Sequence, residues 1–474
     1  MTTRTSLLAA GLAVTLAGCI DRGDWKPAAQ LAPQSLGAAH VLAQAPLEAS
    51  AWPQDAWWKA YGDPQLDALV AEAIRGSPSL TTAQARLRAA RAQAVAARAA
   101  RLPSAAADAE TTRQRYPEHY LYPPPFAGSY ITDGRAALDF GYDLDFWGKN
   151  RALEAAARSG VAAAEADREA ARLALAVAVV QAYIQLDLQY QLLDVTQEQL
   201  KQQQAILDLT QQRVTAGLEN TARVKQSEGQ LALFRAGLDF VQGNIELAHN
   251  QIADLVGAGP DRGQQLQRPQ LVSPGSIALP SVLPAELLGR RPDVVSARAQ
   301  VEAAAHGVKA AEADFYPNVN LTAFAGFQSL GLSQLFDVSD RIVGGGAALS
   351  LPVFNRGALR GALYTRQAQV DASVAQYNQT LLDAVRQVAD VVTNWRALER
   401  ETHEEQVALD AAQRSYDLTT ERYRAGLDNY LSVLSSENQV LLAMALRAEL
   451  QARRLSFSVE LVRALGGGYV APAT

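Results

Sequence analysis

Cysteine is nearly absent: the 474 residues contain one, Cys19. No intrachain disulfide and no cysteine-built zinc site can form. Histidine is scarce too. His40, His119, His249, His306 and His403 stand far apart, with no HExxH spacing. The chain also lacks GxSxG, a P-loop and any clear carboxylate pair, so neither a metal site nor catalysis is expected. Asp143 and Asp145 look paired, but on a strand they only share a face. There is no basic surplus: 43 Lys and Arg face 49 Asp and Glu, for a net charge of −6. That balance asks for no nucleic acid. Past the N-terminus the densest apolar run, Leu173 to Val180, is about eight residues, too short to cross a bilayer. What is present is 49% hydrophobic residues against 19% charged ones. Such a chain can build a core, which excludes global disorder.

The N-terminus reads as an address. Arg4 precedes an apolar run from Leu7 to Leu16, the pattern of a secretory signal. It ends in Leu16-Ala17-Gly18-Cys19, which resembles a bacterial lipobox. The resemblance implies cleavage of residues 1–18 and N-acyl and S-diacylglycerol lipid on Cys19. An ordinary signal peptide with an incidental cysteine is the alternative. Ile20, rather than an aspartate, favours outer-membrane sorting. Each buried CH₂ adds about 0.8 kcal/mol, so several acyl chains anchor stably. An outer-membrane protein without a spanning helix is either lipid-anchored only or spans as a β-barrel.

The remainder is one pattern written twice. Arg213-Val-Thr-Ala-Gly217-Leu-Glu-Asn220 returns as Arg422-Tyr-Arg-Ala-Gly426-Leu-Asp-Asn429. Pro78, Ala83, Ala85, Ala89 and Pro103 likewise match Pro292, Ala297, Ala299, Ala303 and Pro317. Each copy opens with an Ala-rich helical stretch, Ser79 to Leu102 or Asp293 to Tyr316, that stops before a proline. Alternating segments follow. In Ala136 to Phe146, Leu138, Phe140, Tyr142 and Leu144 alternate with polar or small residues. In Asn318 to Phe327, Val319, Leu321, Ala323, Ala325 and Phe327 alternate with Asn318, Asn320, Thr322, Phe324 and Gly326. Period two means strands with one wet and one apolar face. Their partners are expected near Ser104 to Arg115 and Ile342 to Leu351.

Long helices come next, about Lys149 to Ala216 and Gly357 to Ala425. Val374, Tyr377, Leu381, Ala384, Val388, Val391, Trp395 and Leu398 occupy a and d positions of a heptad, which implies coiled-coil packing. Roughly 65 residues at 1.5 Å each reach about 100 Å. Gly217 and Gly426 are placed to end these helices in the left-handed conformation. Asn220 and Thr221, or Asp428 and Asn429, can cap the helix that returns. The fold class is mainly α with a small β part. The domain reading is signal peptide 1–18, extended N-terminal segment 19–63, first repeat 64–256, inter-repeat linker 257–284, second repeat 285–465 and tail 466–474.

Four strands cannot close a barrel, and open edges cannot sit in lipid. Two chains would give eight strands and a filled interior; three would give twelve and a lumen. The arithmetic favours a cyclic trimer or larger, with the helices forming a tube around the same axis.

At this point the residues resemble the outer membrane factor family, the TolC/OprM/NodT-like exit ducts of tripartite efflux systems. The resemblance rests on the lipobox, Tyr142-Asp-Leu-Asp-Phe-Trp-Gly-Lys149, Ala313-Asp-Phe-Tyr-Pro-Asn318, Leu351-Pro-Val-Phe-Asn355, the repeated RxxAGL(E/D)N and Ala464-Leu-Gly-Gly-Gly468. It implies a homotrimer with a twelve-stranded transmembrane β-barrel and a periplasmic α-barrel in the outer membrane of a Gram-negative bacterium. It also implies a periplasmic membrane-fusion adaptor docked at Gly217, Leu218, Asn220, Gly426, Leu427, Asp428 and Asn429, and an inner-membrane pump of the resistance–nodulation–division type. Conduction through the duct would be passive. In this family a leucine and a downstream aspartate often form the periplasmic gate. Leu431 matches the leucine, but Ser435 stands at the aspartate position and Asn438 where some members carry arginine. Glu437 is either a substitute charge or a solvated residue repeated from Glu228. Arg422 and Tyr423 match positions that lock the closed tip in relatives, or serve packing and surface charge. A metal-efflux or type I secretion duct of the same fold remains an alternative. So does a non-channel periplasmic coiled-coil lipoprotein, which predicts no membrane-spanning strands.

Overall fold

The computed structural model describes residues 25–32, 52–119, 123–273, 289–352 and 354–471. Cys19 and the rest of the signal segment lie outside them, as do residues 274–284 of the expected linker. A 3₁₀ turn, Trp57–Tyr61, precedes α1 (Pro64–Gly76). The first repeat then runs α2 (Pro78–Ala99), β1 (Ser104–Arg115), β2 (Tyr130–Asp143), α3 (Lys149–Thr215) and α4 (Thr221–Leu255). A one-turn α5 (Pro260–Gly263) follows. The second repeat is α6 (Pro292–Ala313), β3 (Asn318–Leu330), β4 (Arg341–Ser350), α7 (Arg356–Arg424) and α8 (Tyr430–Ala464). The duplication is visible in the lengths. Helices α2 and α6 both have 22 residues, and α4 and α8 both have 35.

The two short helices end earlier than the prolines alone suggest. Leu102 and Tyr316 bond back only three residues, to the carbonyls of Ala99 and Ala313. This 3₁₀ tightening winds up the helix before residues that a following proline bars from α geometry. Strand β2 ends at Asp143, short of the expected Phe146. Asp145 turns the chain at φ 44, and its carboxylate accepts from the amides of Asn150 and Arg151. It therefore serves the first turn of α3, whose orphan N–H groups need an acceptor, and cannot extend the strand.

The chain divides into two compact units. The first holds Leu87–Ala164 and Ala297–Tyr377, with part of the N-terminal segment. Its centre is one antiparallel sheet in the order β1-β2-β3-β4. Register places Ala107, Leu138, Ala325 and Val343 in one row, and Ala105, Phe140, Ala323 and Gly345 in the next. That face is apolar and uncovered: Leu138 is 50% exposed, Leu349 66% and Val343 85%. The opposite face carries Asp108, Glu110, Arg135, Asp139, Asn320 and Thr322. There Asp139 takes both terminal nitrogens of Arg135. Phe324 is the exception on the polar face. It lies across Gly344, where an added Cβ would come within 2.5 Å of its ring.

The second unit holds Leu31–Arg86, Glu165–Ser296 and Asn378–Thr474. Helix α1 buries Leu66, Leu69, Val70 and Ala73 against Val179, Val180, Tyr183, Ile184, Ile252, Leu455 and Val459. Helix α3 contains an 18-residue window with a mean hydropathy of 1.4, long and apolar enough to cross a membrane by composition. The reading of the longest apolar run as about eight residues missed it, because scattered polar positions interrupt the run. More than half of that window, 56%, is buried, which makes it a core helix by placement.

Asp63 ties this core together. It is buried, caps α1 through the Gln65 amide, and accepts from the Tyr183 hydroxyl at 2.7 Å and the Gln270 amide at 2.9 Å. Asp63→Ala leaves these donors without a charged acceptor. The expected loss is about 2–4 kcal/mol, read as a lower denaturation midpoint of the purified protein. A change under about 0.5 kcal/mol contradicts the assignment of this network.

The Ala464-Leu-Gly-Gly-Gly468 motif has a steric basis. All three glycines have positive φ, and a Cβ on Gly466 would sit 1.9 Å from the Arg290 carbonyl oxygen. No L side chain fits both constraints.

Candidate functional site

Two helical hairpin tips carry the repeated motif. At the first, Gly217 has φ 71, its amide bonds to Val214 O, and the Leu218 amide bonds to Arg213 O at 2.8 Å. At the second, Gly426 also has φ 71, its amide bonds to Tyr423 O, and the Leu427 amide bonds to Arg422 O at 2.8 Å. Both are Schellman closures, which satisfy the last carbonyls of α3 and α7. The returning helices start alike. The Asn220 side chain accepts from the Arg223 amide, and the Asn429 side chain from the Ser432 amide. Asparagine is the cap at both tips; Thr221 and Asp428 are not. These closures hold Leu218 and Leu427 outward, 68% and 70% exposed.

The second tip carries chemistry the first lacks. Arg422 Nε pairs with Asp428 Oδ2 at 3.3 Å, and Tyr423 packs against Tyr430 with centroids 5.4 Å apart. Hydrogen bonding from Ser432 and the Asn429 amide, then from Arg422, holds the Asp428 carboxyl below the usual carboxylate range. So Arg422 and Tyr423 both make contacts inside their own hairpin.

Beyond this tip, Leu431 and Ser435 lie one turn apart on α8, both exposed. Glu437 does not join them. It accepts from Gln202 Nε2 at 3.0 Å, and buried Gln202 also bonds to the Leu434 carbonyl. Two residues along a helix is about 200° of rotation, so a charge at Glu437 faces away from the Leu431–Ser435 stripe. No sequence signal marked Gln202, because its partner lies 235 residues away. Among the described residues no cluster of His, Cys, Asp and Glu is placed to hold a metal ion.

The sheet and the tips together define a class. A four-stranded sheet whose two edges are unpaired among the described residues, wet on one face and apolar on the other, is a fragment of a transmembrane barrel. Joined to paired long helices, it is the build of an outer-membrane duct, and the strand-free coiled-coil alternative is excluded. Comparison with known proteins agrees. Residues 69–258 and 283–467 match the outer membrane efflux protein family, and the chain belongs to it. It is 39% identical over 376 residues to the fusaric acid resistance protein FusA of Burkholderia cepacia, covering 78% of this chain and 70% of that one. It is 32% identical over 474 residues to the multidrug resistance outer membrane protein MdtP of Escherichia coli K12, covering 97% and 96%. The crystal structure of the outer membrane protein VceC from Vibrio cholerae superposes with a TM-score of 0.81 at 38% identity, covering 88% of this chain and 100% of that one. The protein is an outer-membrane efflux duct.

Proposed function

We propose that three copies form the exit duct of a tripartite efflux pump, passively conducting drugs or other small toxic compounds out of the cell. The observation that carries this is that β1 and β4 each have one edge unpaired among the described residues, which three-fold pairing closes into twelve strands around the polar face. The hairpin tips at Gly217, Leu218, Asn220 and at Gly426, Leu427, Asp428, Asn429 dock the periplasmic adaptor, and an inner-membrane pump of the resistance–nodulation–division type feeds it. Leu431 with Ser435 supplies the narrow ring at the periplasmic end, so closure there is apolar rather than anionic. Lipid on Cys19 anchors each copy. Resistance and multidrug names among the relatives support the choice of cargo. The test is deletion of the gene in its Gram-negative host, with intracellular dye accumulation and drug susceptibility measured. Raised accumulation restored by the intact gene is expected. Unchanged accumulation, with the adaptor and pump expressed, would overturn the reading.

A further inference from the structure

Phe146 and Trp147 follow β2 closely and are exposed, at 64% and 52%. Trp147 donates its indole N–H to the Pro317 carbonyl at 2.8 Å and stacks on Tyr316, with ring centroids 4.4 Å apart. The stack pins the end of β2 to the start of β3 and forms the wall between two cavities. One holds Asp143, Asn318 and Ser350, with the Lys149–Asp314 ion pair at 2.7 Å. Asp143 lies opposite Asn320 in the register, so this cavity continues the polar face of the sheet. The other is an open groove of about 600 Å³ between α3 and α6, lined by Arg151, Ala155, His306 and Lys309. Arg151 and Ala155 lie about 160° and 120° around α3 from Lys149, and Lys309 lies about 140° around α6 from Asp314. The groove therefore opens away from the polar face, on the side that displays Leu138 and Val343.

Its charge runs against that of the chain. Arg151, Lys309 and His306 face one acid, Glu312, which has a partner of its own. Arg151 shares Asp145 at 3.6 Å, and among the described residues Lys309 has no ion-pair partner. The first amides of α3 are already taken by Asp145, so the cations and rings carry the site, not the helix end. Lys309 stands eight residues before Pro317, about 12 Å along the chain axis, and its stem lets the ammonium reach back toward the rings. A headgroup layer is about 5–8 Å thick on each side of the hydrocarbon. Rings at the foot of an apolar sheet, with cations just beyond them, match a lipid whose chains lie on the sheet and whose phosphate reaches the groove.

We propose that this groove binds the headgroup of an anionic phospholipid, with Lys309 and Arg151 on the phosphate and Trp147 against the glycerol and upper chains. A zwitterionic headgroup brings its own ammonium and gains less from these cations. The site rests on the reading that the apolar face meets lipid.

The test uses the full-length oligomer in phosphatidylcholine vesicles doped with chain-brominated phosphatidylglycerol or chain-brominated phosphatidylcholine. Quenching of tryptophan fluorescence is read against Trp147→Phe, which isolates the signal of Trp147. Half-maximal quenching should need at least about fivefold less brominated phosphatidylglycerol than phosphatidylcholine. Lys309→Glu should bring the two lipids together, and Lys309→Arg should keep them apart. Lys201→Glu makes the same charge change far along α3 and should leave the preference intact. If Trp147→Phe fails to assemble, the Lys309→Glu comparison on total fluorescence decides alone. Equal quenching by the two lipids in the wild type, or a preference that survives Lys309→Glu, overturns the site while leaving the lipid-facing sheet in place. No quenching of Trp147 by either lipid overturns the lipid-facing reading and the site with it. Inorganic phosphate, compared with chloride at equal ionic strength, should not remove the preference. If it does, the groove holds a free anion and the lipid assignment falls.

Discussion

Val343→Arg is expected to abolish assembly in the outer membrane. Val343 is the most exposed apolar residue of the sheet, at 85%, and shares its row with Ala325, Leu138 and Ala107. It lies seven residues above Ser350, the foot of β4. On a strand tilted by about 40° that is roughly 17 Å, inside an apolar band about 25 Å tall. Arginine there costs about 2–4 kcal/mol per copy, and a trimer carries three. Against a marginally stable assembly such a sum is decisive. The control is Thr322→Arg. Thr322 stands opposite Gly141 and Gly346 on the polar face, where a guanidinium meets the water of a lumen. We expect Thr322→Arg to assemble normally and Val343→Arg to yield no heat-resistant oligomer on gels of outer-membrane extracts. Equal yields would mean that the apolar face does not meet lipid.

Leu218→Glu combined with Leu427→Glu should leave the oligomer intact and remove efflux. Both side chains are exposed and take no part in the bonds that close the turns, which run through backbone groups, the asparagine caps and the Arg422–Asp428 pair, so the change spares the hairpins. An adaptor that covers them would have to desolvate a carboxylate at each site. Each 1.4 kcal/mol is tenfold in affinity, and three copies present six such sites, so docking should fall by well over a hundredfold. Drug susceptibility should rise to that of the deletion strain while oligomer yield stays at wild-type level. Normal susceptibility would place the docking surface elsewhere. Asn429→Ala offers a graded comparison: it removes one helix cap, worth about 1 kcal/mol, and should weaken efflux only mildly.

Local patterns were legible because they are periodic. All eight a and d residues from Val374 to Leu398 are buried. The alternation from Leu138 to Tyr142 lies on the sheet's apolar face, and both tip glycines take the left-handed conformation. What periodicity does not encode was missed. Asp145 ended β2 through a capping role that its alternation concealed. The Asp63 network joins residues 120 and 207 positions apart, and the Glu437–Gln202 bond joins two helices far apart in the chain. The hydrogen bonds that Asp371 accepts from Trp25 and Ala28 are of the same kind, with partners 346 and 343 residues away. At the candidate gate, position matching offered Leu431 and Ser435, which share one stripe of the helix, whereas Glu437, the substitute charge, is turned toward Gln202.

The central claim is that copies of this chain close their sheets around a shared lumen. Imaging the detergent-extracted particle tests it most directly. A threefold particle with a barrel at one end and an axial channel is the expected result. A monomer, or an oligomer without a lumen, would contradict it.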